Sequence, residues 1–219
     1  MEAVGARLVN PARWQLALRR VHAATAGVVG TFTVVHLANH LAALGGVQMH
    51  IAFMHAARHV YRQPALEVLL LSCVALQISS GLAMVCMRAW PRGGLPRVQA
   101  IAGIVIAAFL FMHVAAILAA RALFGLDTTF HFAAAGLHAG AWIWFFVPYY
   151  GGAVLALFVH VGCALQRRAG LGAPRWGRVA IAAALGVPVA LVIVLCLAGV
   201  LIDVAIPAAY RAPYGLGTG

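Results

Sequence analysis

The 219-residue sequence has no lysine, only four acids (Glu2, Glu67, Asp127 and Asp203) and only four cysteines, with no CxxC pair among them. Each shortage excludes something. Charged residues make up 9% of the chain and apolar ones 64%, which removes it from the soluble class and places it among membrane proteins. Cys73, Cys86, Cys163 and Cys196 all sit inside apolar runs, where cysteine acts as a small hydrophobe. Without cysteine clusters or glycine-rich nucleotide fingerprints, the chain cannot itself hold iron–sulfur or flavin chemistry. The formal charge of +11 is carried by 15 arginines. Those arginines stand at the ends of apolar runs, so they report topology, and no nucleic-acid partner is expected. Residues 1–20 are basic and lack a small-residue cleavage site, so the first apolar run reads as a retained helix. There is no internal repeat.

What remains is apolar and broken by turn residues. A spanning helix needs roughly 20 apolar residues, and five segments qualify: 21–44, 65–87, 98–123, 141–166 and 179–205. Gly45-Gly46, the stretch Trp90 to Pro96, and the stretch Gly170 to Pro174 separate them. Residues 47–63 are too short and too rich in histidine and arginine to span. With Met49, Phe53, Met54 and Val60 set against His50, His55, His59, Arg58 and Arg62, they read as an interfacial helix. The expected fold is therefore an all-α membrane protein, one domain of five transmembrane helices plus one short surface helix.

Arginine counting orients it. One side holds Arg7, Arg13, Arg19, Arg20, Arg88, Arg92, Arg97, Arg167, Arg168, Arg175 and Arg178; the other holds Arg58, Arg62, Arg121 and Arg211. The heavier side is the inner one, which places the N-terminus inside.

Ionisable groups in spanning helices are costly and mark function. The first helix carries His22, His36 and His40. His36 lies sixteen residues beyond Arg20, and His113 sixteen beyond Arg97. At 1.5 Å per residue both sit roughly 24 Å from the inner edge, in the outer half of the bilayer. Two imidazoles at one depth on different helices are what a six-coordinate b-type haem requires. Gly27, Gly30 and Gly103 would let a flat macrocycle approach the backbone. The competing reading is that each histidine makes an interhelical hydrogen bond. His160 lies seven residues before Arg167, near the inner side, and the matching depth on the second helix is Gly81, beside Ser79 and Ser80. One haem is therefore expected, and a second would need an unusual partner for His160. His22 could face that inner region or meet a haem propionate. His55 and His59, one turn apart, have the spacing of a metal clip, but no acid or cysteine completes a site.

Together these residues resemble the five-helix cytochrome b membrane-anchor subunit of succinate dehydrogenase and fumarate reductase. The first helix carries Arg19-x-x-His22, glycines, then His36-Leu37-Ala38-Asn39; the third carries Gln99, Gly103 and His113; the fourth ends in His160 before a basic loop; the second opens Ala65-Leu66-Glu67. The resemblance covers about residues 19–170. It implies that His36 and His113 bind the outer haem and that the chain sits in a bacterial cell (inner) membrane. It further implies electron exchange with quinone, and flavoprotein and iron–sulfur partners on the cytoplasmic side. The family's second-helix ligand falls at Gln77 or Ile78 here, so the sequence departs from the two-haem pattern. Quinone chemistry would draw on outer-edge groups: Glu67, His40, Arg62 and Asn39. Glu67 could equally act as a helix-terminal charge or pair with Arg62. The alternative function is a non-enzymatic membrane scaffold or haem-binding protein without quinone chemistry. A transporter predicts broken helices in paired halves, which this pattern lacks.

Overall fold

The computed structural model describes residues 11–87, 90–168 and 176–215. Arg7, Arg88 and Arg175 of the arginine count, and the break at 170–174, lie outside the described residues. The protein is an all-α membrane bundle. Five helices are long and apolar enough to cross a bilayer: α1 (Pro11–Ala42), α3 (Pro64–Cys86), α4 (Gly94–Leu123), α6 (Ile143–Arg168) and α7 (Gly177–Leu197). Between them lie α2 (Val47–Tyr61) and the short α5 (Phe130–Ala135), and after α7 comes one further turn of helix, α8 (Ala208–Arg211).

The spanning helices pack in a closed order, α1 on α3, α3 on α4, α4 on α6, α6 on α7, and α7 back on α1. Helices α1 and α4 meet through side chains: Val29 of α1 shares a small core with Cys73 and Val74 of α3 and with Leu110 and Val114 of α4. The tightest seam is α6 against α7, and small residues make it so. A Cβ at Gly162 would stand 2.7 Å from the Ala182 Cβ, and one at Gly186 would stand 2.7 Å from the Phe158 Cβ. Glycine at such crossings lets helix backbones close in where no water is present to drive association.

Two element boundaries differ from the sequence reading. Helix α1 already runs from Pro11, because its basic first turns contain no breaker, and it stops at Ala42 before a 3-10 turn and Gly46 at φ 100°. Helix α7 ends at Leu197, not at 205. Gly199 takes φ 73°, its N–H donates to the Cys196 carbonyl, and the Val200 N–H donates to the Leu195 carbonyl. That is a Schellman end, which an apolar run does not announce. His138 supplies a further cap, its Nε2 lying 3.0 Å from the Leu197 carbonyl oxygen.

The segment between α4 and α6 holds more than a loop. Phe130 and Ala134 of α5 are fully buried and pack with Leu137, Ile193, Cys196 and Leu197. This plug closes the α2 end of the bundle and forms its largest core.

Helix α2 is also turned differently from expectation. His50, Met54 and Arg58, each one turn after the last, are its buried stripe, while Met49, Phe53 and Val60 are exposed. The sequence reading put His50 and Arg58 on a solvated face. Inside a membrane bundle polar groups turn inward to find partners, and apolar ones can face lipid.

Candidate functional site

At the α2 end, four histidine rings from three helices form a chain. His113 of α4 stands 6.1 Å from His36 of α1 between ring centres, His36 stands 4.7 Å from His40, and His40 stands 5.2 Å from His50 of α2. The two sequence-predicted partners, His36 and His113, are thus neighbours. Among the described residues no three His, Cys, Asp or Glu side chains converge to hold a metal ion, so the rings make a line and not a cage.

His36 and His113 have matching surroundings. Phe32 stacks on His36 at 5.5 Å and Phe109 stacks on His113 at 5.0 Å, both with 15° between ring planes. In each case the phenylalanine stands four residues earlier, one helical turn away, so both α1 and α4 read Phe-x-x-x-His. This repeated spacing was legible in the sequence and adds Phe32 and Phe109 to the site. Neither His36 nor His113 makes a hydrogen bond to another described residue. Stacking fixes the rings and leaves their nitrogens uncommitted.

Beyond this pair the cluster becomes polar and dry. Asn39 and His50 are buried, and the Asn39 Nδ2 donates to the His50 Nε2 at 3.2 Å. The proton of His50 then sits on Nδ1, which has no partner; the Asn39 Oδ1 and the His40 Nδ1 are likewise buried and unpartnered. Three orphaned polar atoms in one apolar neighbourhood call for a polar guest, since each unmade bond costs about 1–3 kcal/mol. Burial first, then the charges of Arg58 and His131, hold the His50 imidazole down to about 4, so it is neutral at pH 7. Sequence reasoning passed over His50 because its neighbours on α2 are charged and its partner lies on α1.

The other predicted residues fall elsewhere. His22 faces α3, where the Gln77 Nε2 donates to the His22 Nε2 at 3.1 Å and the His22 Nδ1 donates to the Ser80 Oγ at 3.0 Å. Thr25 completes the network with a 2.5 Å bond to the Gln77 Oε1. Both nitrogens of His22 are therefore engaged with α3. Gln77, at the second-helix ligand position, serves this network.

His160 donates from Nδ1 to the backbone carbonyl of Gln99 at 3.2 Å. Gly103 makes room for it: a Cβ there would meet the His160 Cε1 at 3.1 Å. Gly103 thus belongs to the α4–α6 contact and not to the His36–His113 space. Gly27 and Gly30 would meet nothing within 4 Å if given a Cβ. Nine residues before His36, Gly27 lies on the opposite side of α1, and Gly30 lies a third of a turn away from the His36 face. Neither belongs to the surface that meets His113.

Glu67 pairs with Arg121 of α4, not with Arg62. Arg62 instead donates to the Thr128 Oγ1 at 3.2 Å. The four quinone candidates therefore separate: Asn39 and His40 line the buried cluster, while Glu67 and Arg62 hold the rim.

No known protein family, no characterised protein and no solved structure matches this chain.

Proposed function

We propose that the protein is a b-type haem membrane subunit that exchanges electrons with quinone, resembling the cytochrome b anchor of succinate dehydrogenase and fumarate reductase. The observation that carries this reading is the His36–His113 pair. A metal–imidazole bond is about 2 Å long, so two rings on opposite faces of one iron have centres roughly 6 Å apart. The rings stand 6.1 Å apart, stacked in place by Phe32 and Phe109, with no hydrogen bond to another described residue. Bound there, a haem would supply one-electron chemistry within the apolar bundle.

The chain's own residues account for the rest. The His50 Nδ1–H can donate to a quinone carbonyl, and the Asn39 Oδ1 can accept from a quinol hydroxyl, with the His40 Nδ1 beside them. Glu67–Arg121 and Arg58–Asp127 clamp the surrounding helix ends, so they position this edge rather than exchange protons in it. One haem is assigned, because His22 and Gln77 bond each other where an inner pair would stand. The arginine-rich end faces the cytoplasm of a bacterial inner membrane in this reading, and is where flavoprotein and iron–sulfur subunits would dock.

A visible spectrum of protein purified from haem-replete cells tests it. A Soret band with a reduced α-band is expected, lost in His36→Ala and in His113→Ala and kept in His160→Ala. A colourless protein overturns it and leaves the haem-free scaffold, which the hydrogen-bonded His22 favours. Gene neighbours encoding flavin and iron–sulfur subunits would support the anchor role.

A further inference from the structure

The outer surface of α2 carries a feature that the redox reading does not use. His55, Arg58, His59, Arg62, Gln63 and Asp127 line an open pocket where α2 meets the loop after α4. Its charge is unbalanced. Among the described residues the only ion pairs are Arg58–Asp127 and Arg121–Glu67, so Asp127 is the one carboxylate facing two guanidiniums and two imidazoles.

The donors are also under-used. The Arg58 side chain is 9% exposed; its Nη1 donates to Asp127 at 2.7 Å and its Nη2 to the Thr128 carbonyl at 2.9 Å, but its Nε is buried without a partner. Among the described residues Arg62 reaches only the neutral Thr128 hydroxyl. Burial first, then Arg58 and Arg121, push the Arg62 guanidinium below its ordinary value, which says that positive charge is crowded here. An anion would relieve this crowding and take up the spare N–H groups, and arginine forks suit phosphate oxygens best. On the same short helix Met49, Phe53 and Val60 are exposed. A cationic pocket beside an exposed apolar face is the pattern that a lipid with an anionic head and apolar tails would complement.

We propose that this pocket binds a phosphate group, the phosphodiester of an anionic phospholipid lying against α2. The site tethers α2, and with it the buried His50, to the membrane surface.

Native mass spectrometry of the delipidated protein in a neutral detergent tests this, with phosphatidylglycerol or phosphatidylcholine added to the micelles. Retention of phosphatidylglycerol at least tenfold above phosphatidylcholine is expected, weakening with salt. Arg62→Gln and Gln63→Glu should each lower that retention about tenfold. Added inorganic phosphate separates the sources. Displacement of the lipid at millimolar phosphate supports a site for the phosphate group alone, whereas persistence supports one that also holds the acyl chains. Equal retention of both lipids, or wild-type retention in both variants, overturns the proposal. Unchanged melting temperatures show that the variants still fold, and a variant that does not fold is replaced by His59→Gln, for which a similar loss is expected.

Discussion

His22 offers the sharpest test of whether a membrane histidine is structural, because its bonds can be counted. His22→Leu removes the bonds to Gln77 and Ser80 while filling similar space. Ser80 keeps its own bond to the Leu76 carbonyl, so only the Gln77 amide loses its partner. Interhelical hydrogen bonds in membranes average about 0.6 kcal/mol and reach about 1.7, and a buried orphan donor adds to that, so a loss of about 1–2 kcal/mol is expected. Gln77→Leu should cost a similar amount by orphaning the His22 Nε2. Thr25 suffers little, since the carbonyls of Val21 and His22 lie within 3.0 and 3.3 Å of its hydroxyl. The double variant leaves neither orphan, so it should cost less than the sum, with a coupling of about 1 kcal/mol. Equilibrium unfolding in mixed micelles of rising SDS content reads all three, and the visible spectrum of each should match wild type. Additive losses, or a changed spectrum in folded His22→Leu, would refute the assignment.

Two further outcomes follow from packing and burial. His50 has a folded value near 4, below the ordinary 6.5, so the unfolded state binds more protons between those limits and stability rises with pH there. Melting temperatures should therefore fall as pH drops from 6.5 towards 4, the His50 share being worth about 3 kcal/mol at most, and His50→Gln should make that fall shallower by its share. At the α6–α7 seam, Gly162→Ala drives its new Cβ against Ala182 and the Arg178 carbonyl and should cost about 1–3 kcal/mol. Gly27→Ala, with open space around it, should be neutral or gain up to about 1 kcal/mol in the same melting assay.

The sequence alone determined that this is a five-helix membrane protein, because twenty apolar residues between breakers have few other destinations. It also determined that His36 and His113 share a depth, since helical rise converts numbering directly into height. It carried the Phe-x-x-x-His repeat as well, though height was the only measure applied to those helices. Rotation and neighbours were decided by the tertiary structure. Which face of α1 a glycine occupies relative to a partner helix, and whether Glu67 finds Arg62 or Arg121, depend on how the helices are arranged around one another. The burial of His50 is the clearest case. On α2 it reads as one polar residue among many, and only the approach of Asn39 from α1 and Phe130 from α5 turns it into a dry, half-satisfied group. Hydropathy is a property of one segment, whereas a buried polar network needs several, so the bundle had to be assembled before the second half of the site could be seen.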